Sequence, residues 1–261
     1  TLVEADFGDR ASWLSFATAH PACRTLLAEA DGEVVGTGVG TANGPVGWLA
    51  TIWVAADRRR QGLGRAITQE LLDRLADAGC RTFVLVATEE GRRLYEAMGF
   101  ELQARYEILE APGAPAADDF AETGHVRAFA ATDLGSVLDL DRRSTGEDRR
   151  HVIEPFVSPS SARVLEVGGE IRGFVIRAPW GGGATIAVDQ GAALELLTAR
   201  RQSSGPSGRV RVGLLDGNVA GLEELAAGGY RPIWSAPRLA RGAPLDWRPD
   251  WIWGQFNHAI G

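Results

Sequence analysis

Residues 58 to 65 read Arg58-Arg59-Arg60-Gln61-Gly62-Leu63-Gly64-Arg65, four arginines around two closely spaced glycines, and a segment of helical spacing follows. Gly62 and Gly64 remove side chains where the chain turns into a helix, so the backbone N–H groups of about 60 to 65 can converge on one point. Those are donors that a helix N-terminus leaves without an intrahelical partner. A charge-assisted hydrogen bond to an anion contributes on the order of 1.5–3 kcal/mol, and the helix dipole adds about 0.3–1 more. Phosphate or pyrophosphate is the natural guest. Taken alone, the same residues also read as a solvated basic turn. A dinucleotide fingerprint fits poorly, because Gly62-Leu63-Gly64-Arg65-Ala66-Ile67 lacks a small residue in the last place and the next strand ends in Ala87, not in an acid.

The elements that must position this loop follow from periodicity. A hairpin is expected at roughly 25–30 with 33–41, then a strand near 47–54 leading into the loop. Leu63, Ile67, Leu71 and Leu75 recur every fourth residue, which predicts a helix over 62–78 that buries one face and stops at Gly79. A buried strand (81–87), a short helix (90–97) and a further strand (99–110) come next, an α/β order.

The segment 111–124, "APGAPAADDFAETG", has the composition of a linker. Its flanks match each other in order: "DGEVVG" (31–36) with "GGEIRG" (168–173), "TIWV" (51–54) with "TIAV" (185–188), and Arg81–Phe100 with Arg211–Tyr230. Two related domains are therefore expected, 1–110 and 125–261, joined by 111–124.

Composition prunes the chemistry. All 27 basic residues are arginine, which excludes a P-loop lysine and Schiff-base catalysis. A net charge of −7 argues against nucleic acid as a partner, so the arginine run is a local device. Cys23 and Cys80 are expected as core thiols, and the four scattered histidines form no metal-ligand spacing, so no metal is expected. No apolar run reaches membrane-spanning length, and the opening "TLVEADFGDRASW" lacks the pattern of a signal peptide. The expectation is a cytoplasmic protein, monomer or homodimer, with no membrane partner.

The sequence resembles the GCN5-related N-acetyltransferase (GNAT) superfamily, and specifically its tandem bacterial type with a degenerate C-terminal GNAT-like domain. The likeness is carried by Arg59-Arg60-Gln61-Gly62-Leu63-Gly64, which matches the family's Arg/Gln-x-x-Gly-x-Gly/Ala loop, and by "RRLYEAMGF" (92–100), with its closing Tyr and Gly-Phe. It covers most of residues 1–110. The resemblance implies two tandem domains, each a mixed, mostly antiparallel sheet flanked by helices. It implies acetyl-CoA as cosubstrate, held by Arg59, Arg60, Gln61, Gly62, Leu63, Gly64, Arg65 and Arg92, with the backbone of Ile52, Trp53 and Val54 pairing with the pantetheine arm. Thr88 stands where the family often has an Asn that touches that arm, and Gly91 replaces a family Ala.

The implied reaction moves an acetyl group to a primary amine of a small molecule by direct attack on the thioester. Tyr95 is placed to give the departing thiolate its proton, as a phenol with pKa about 10 can; packing of its helix on the sheet is the other role for this residue. No acid stands in "WLATIWV" to serve as base, and Glu89 and Glu90 are read as helix-start carboxylates. A non-catalytic acyl-CoA-binding or regulatory protein is the alternative.

The second half has no arginine-glycine loop, and Leu225 stands in place of Tyr95. Asn218 is read as a helix N-cap and Asp148–Arg149 as a surface ion pair or part of an acceptor site. Residues 251–257 are expected near the domain junction, with Trp234, Trp247, Trp251 and Trp253 lining an acceptor cleft or packing in the core.

Overall fold

Two turns of the same design punctuate the chain: Asp31 and Gly32 have φ of 55° and 80°, and Gly168 and Gly169 have 61° and 85°. Left-handed backbone at both central residues is the turn that joins twisted antiparallel strands most directly. The computed structural model describes residues 11–115, 125–178, 183–255 and 257–261. Its elements run α1 (Ala11–Ala19), β1 (Cys23–Ala30), β2 (Glu33–Asn43), β3 (Val46–Val54), α2 (Leu63–Asp77), β4 (Thr82–Val86), α3 (Glu89–Glu96) and β5 (Glu101–Pro112). They continue β6 (Val126–Ala128), α4 (Leu134–Thr145), α5 (Arg150–Ile153), β7 (Ala162–Val167), β8 (Glu170–Ile176), β9 (Thr185–Ala187), α6 (Gln190–Ser204), β10 (Arg209–Leu215), α7 (Val219–Ala227), β11 (Arg231–Gly242) and β12 (Ile252–Gly254).

The chain divides into two units, and the division differs from the single cut at 111–124 suggested by composition. Unit 1 holds Thr1–Gln103 with Arg238–Pro244 and His258–Gly261; unit 2 holds Ala104–Pro237 and Leu245–Asn257. The reason is strand length. β5 and β11 are each twelve residues, and neither stops where the units divide. A loss of hydrophobic period marks where a strand ends, not where its pairing changes.

In unit 1, β1, β2 and β3 pair antiparallel in sequence, β3 pairs parallel with β4, and the Arg238–Gly242 end of β11 pairs antiparallel with β4. α2 lies on this sheet because three glycines on β2 admit it. A Cβ at Gly36 or Gly38 would come within 2.8 or 2.6 Å of Ile67, and one at Gly40 within 3.2 Å of Leu75. Glycine every second residue on the strand thus receives branched residues every fourth on the helix. Ile67, Leu71 and Leu75 are buried with Leu49, Leu85, Tyr95, Phe100 and Leu239 in one core, each aliphatic side chain stabilising by about 1.5–3 kcal/mol. Both cysteines are buried free thiols, and desolvation raises the pKa of each.

Unit 2 repeats the hairpin as β7–β8, followed by β9. Here β9 receives a strand on its far edge: β12 pairs antiparallel with it, Ile252 opposite Ile186 and Gly254 opposite Thr185. The same segment lies against β10, where the Gln255 side chain is 3.8 Å from the Cβ position of Gly213. Residues 252–254 thus form an end strand of the unit 2 sheet.

Candidate functional site

β3 changes partners along its length. Val46 to Leu49 face Thr82 to Leu85 of β4 in parallel register, and pairing with β4 stops there. On its other side β3 stays with β2 as far as Val54, but the register slips, Thr37 facing Trp53 and Val39 facing Ala50. Two residues, Thr51 and Ile52, are accommodated in a bulge. Thr51 takes φ 54°, a left-handed conformation that costs a β-branched residue about 1–3 kcal/mol and clusters at functional sites. β4 itself ends at Val86, one residue past the partner of Leu49, so beyond the bulge one edge of the Ile52, Trp53 and Val54 backbone is unpaired with a strand.

The loop that follows is built to start a helix without a side-chain cap. Gly62 is the N-cap residue with φ 89° and ψ −8°, and no side chain accepts from the helix amides. The first helical bond runs from Ala66 N–H to the Gly62 carbonyl at 3.0 Å, which leaves the amides of Leu63, Gly64 and Arg65 outside the ladder. Arg60 also has a left-handed backbone, φ 61°. Gly64 is needed less for space, since a Cβ there would meet Leu94 and Val54 at ordinary contact distances of 3.5 and 3.7 Å.

The other predicted residues fall into groups. Gln61 Nε2 donates to the Asp57 carbonyl and closes the loop. Arg59 donates from Nε to the Val54 carbonyl at 3.2 Å, and its Nη1 lies 3.8 Å from Glu90, tying loop, strand edge and the start of α3 together. Arg58 turns away to Asp31 and Asp57. Arg60 and Arg65 are exposed and have no carboxylate partner among the described residues. Arg92 is engaged along its own helix with Glu96 at 2.6 Å, which raises its pKa through that hydrogen bond. Thr88 caps α3, its Oγ1 accepting from Gly91 N–H at 3.1 Å, and Asn218 caps α7 in the same way with Gly221.

Tyr95 projects from α3 into the core and packs edge-on against Phe100 at 6.0 Å between centroids. Burial pushes its pKa up to about 12. The phenol therefore holds its proton at any physiological pH and is a weaker acid than an exposed tyrosine, suited to donating a hydrogen bond to developing charge.

One sequence expectation is corrected. Arg149 is buried and pairs with buried Asp141, its Nε 3.0 Å from the carboxylate, while Asp148 is exposed. Beside the pair, Ser144 and Thr145 donate their hydroxyls to the Leu140 and Asp141 carbonyls within α4. Burial opposes the guanidinium's charge, and Asp141 and Glu147 outweigh it, holding the pKa above its usual value. Of the tryptophans, Trp253 is in the core of unit 2, Trp251 lies under Arg143 at 5.7 Å, and Trp234 is 46% exposed. Among the described residues no cluster of His, Cys, Asp or Glu could hold a metal, and no helix is long and apolar enough to cross a membrane.

Residues missed by sequence reasoning lie around the bulge. Trp13 Nε1 donates to Thr51 Oγ1 at 3.2 Å, and Thr37 Oγ1 donates to the Thr51 carbonyl at 2.9 Å. In unit 2, Asp189 was also missed. Its carboxylate caps α6 by accepting from Ala192 N–H at 2.9 Å, and Arg172 pairs with it at 2.7 Å.

Residues 3–100 match the model of the acetyltransferase (GNAT) family. This stretch is a GNAT-family domain. The fold as a whole is similar to that of a Pyrococcus horikoshii protein classed as an acetyltransferase, with a TM-score of 0.80 and 21% identity over 99% of this chain and 88% of that one. A GCN5-related N-acetyltransferase from Sphaerobacter thermophilus gives 0.64 and 16% over 94% and 91%. A tandem GNAT protein of the clavulanic acid biosynthesis pathway gives 0.53 and 16% over 87% and 86%. At these identities the likeness is one of fold. No curated protein sequence matches the chain. The GNAT domain contains both the loop at Gly62 and the bulged strand at Thr51.

Proposed function

We propose that this chain is an acetyl-CoA-dependent N-acetyltransferase that acts on a primary amine of a small molecule through its GNAT domain. The observation that carries the reading is the conjunction, within unit 1, of uncapped amides at Leu63, Gly64 and Arg65 with a backbone edge at Ile52 to Val54 that, among the described residues, no strand takes and the Arg59 side chain touches at the Val54 carbonyl. The amides, with Arg60 and Arg65, suit a diphosphate. The strand edge suits a chain bearing its own amides, which would pair with it as a strand does. Acetyl-CoA supplies a thioester that an amine can attack directly.

In this reading Tyr95 keeps its proton and hydrogen-bonds the sulfur as negative charge develops there. β3 carries no carboxylate to take the amine's proton, so that proton leaves through water. Unit 2 acts as a degenerate partner. Its corresponding helix start is capped by Asp189, its strand edge is taken by β12, and Leu225 stands where the catalytic Tyr would be.

The test is a panel of primary amines incubated with acetyl-CoA, following release of free thiol. Thiol release above the hydrolysis background with at least one amine is expected. Tight CoA binding with no release across the panel would instead favour a non-catalytic acyl-CoA-binding protein.

A further inference from the structure

The bulge at Thr51 is the one place in β3 where the backbone adopts a conformation its residue disfavours, and two side chains from separate elements hold it. Trp13 of α1 donates its indole N–H to Thr51 Oγ1 at 3.2 Å. Thr37 of β2 donates its hydroxyl to the Thr51 carbonyl at 2.9 Å. Both donors are buried, at 3% and 7% exposure, so neither bond is easily exchanged for one to water. The two bonds act on different ends of the residue. The indole fixes the side chain, and the hydroxyl fixes the peptide plane that follows, which belongs to Ile52.

Rotation of that peptide out of φ 54° would let Thr51 return to extended geometry. A regular β3 would then pair with β2 one residue out of register, Thr37 facing Ile52 in place of Trp53, and the backbone groups of Ile52 to Val54 would turn to the opposite edge. We infer that Trp13 and Thr37 are positioning residues that clamp Thr51 in its left-handed conformation and thereby fix which backbone groups of Ile52 to Val54 the acyl-CoA edge presents. The inference rests on the function proposed above, and it adds that the register of that edge is maintained by side chains outside the loop and the catalytic helix.

The experiment compares Thr37→Val, which keeps shape and removes the donor, and Trp13→Phe, which removes the donor together with part of the ring, each with and without Thr51→Gly, which removes the Cβ that makes the conformation costly. Two quantities are read: CoA affinity by calorimetry, and hydrogen exchange of the 52–54 amides in the ligand-free protein. Each single change is expected to weaken CoA binding by about threefold to tenfold, the worth of a typical hydrogen bond, and to alter exchange at 52–54. Adding Thr51→Gly is expected to restore both, which a general loss of packing would not allow. Unchanged affinity and exchange in Thr37→Val, or losses that Thr51→Gly leaves uncorrected, would overturn the clamp. Should Trp13→Phe fold poorly, Thr37→Val decides alone. Failure of the unaltered protein to bind CoA would overturn the underlying function, and the exchange measurement would still decide the clamp.

Discussion

The two units begin corresponding helices in opposite ways. α2 starts at Gly62 with no side-chain cap, left-handed backbone and exposed arginines nearby, whereas α6 starts at Asp189, whose carboxylate accepts from a helix amide and carries negative charge into the helix mouth. The corresponding strands differ as well. β3 leaves its edge beyond Leu49 unpaired with β4, while β9 is paired by β12. A helix N-terminus and a strand edge are generic features, and what makes one pair a ligand site is that its own chain has not already satisfied them. Unit 2 has completed itself with an acid and a strand; unit 1 is left with donors and acceptors to spare.

Several substitutions sharpen or break this contrast. The largest effect is expected from Tyr95→Phe, which should lower kcat by about 10²–10⁴-fold while CoA affinity changes little, as read by steady-state kinetics beside calorimetry. Because burial raises the Tyr95 pKa to about 12, the protonated phenol persists through pH 10, so its loss of activity should appear only on the far alkaline side. The same shift makes the fold's alkaline stability depend on Tyr95: the contribution is whole below pH 10, its ordinary pKa, and is lost as pH rises through about 12.

Arg149→Met should cost about 3–5 kcal/mol of stability, since it strands buried Asp141, yet leave CoA affinity in unit 1 unaltered; denaturant unfolding and calorimetry separate the two. A loss of CoA affinity without loss of stability would instead make Arg149 part of a site. Gly38→Ala should destabilise by about 1–3 kcal/mol, because its Cβ would press into Ile67 at 2.6 Å and push α2 off the sheet. Arg58→Ala should be the mildest, within about twofold in CoA affinity, since its guanidinium serves exposed pairs with Asp31 and Asp57.

Local features were legible in the sequence where local physics decides them. The four-residue repeat from Leu63 to Leu75 predicts 62–78 and the helix spans Leu63–Asp77; the left-handed position at Gly62 follows from its residue type. Gly36, Gly38 and Gly40 are legible too, since glycine at strand period beside a leucine-rich helix signals close approach. The bulge was hidden, because a threonine within "LATIWV" reads as an ordinary strand residue and its left-handed backbone depends on Trp13 and Thr37, far away in sequence. The course of β11 and β12 was hidden for a related reason. Alternating residues specify a strand and its faces but not which edge it joins, so "WIWGQ" carried no mark that β9 would receive it.

The central claim is that the chain has a single diphosphate-binding helix mouth, at Gly62. Calorimetric titration with CoA of the unaltered protein and of Gly62→Val, which cannot comfortably hold φ 89°, tests it most directly. The account predicts one CoA bound per chain and none in the variant. Two bound per chain, or binding that survives in Gly62→Val, would contradict it.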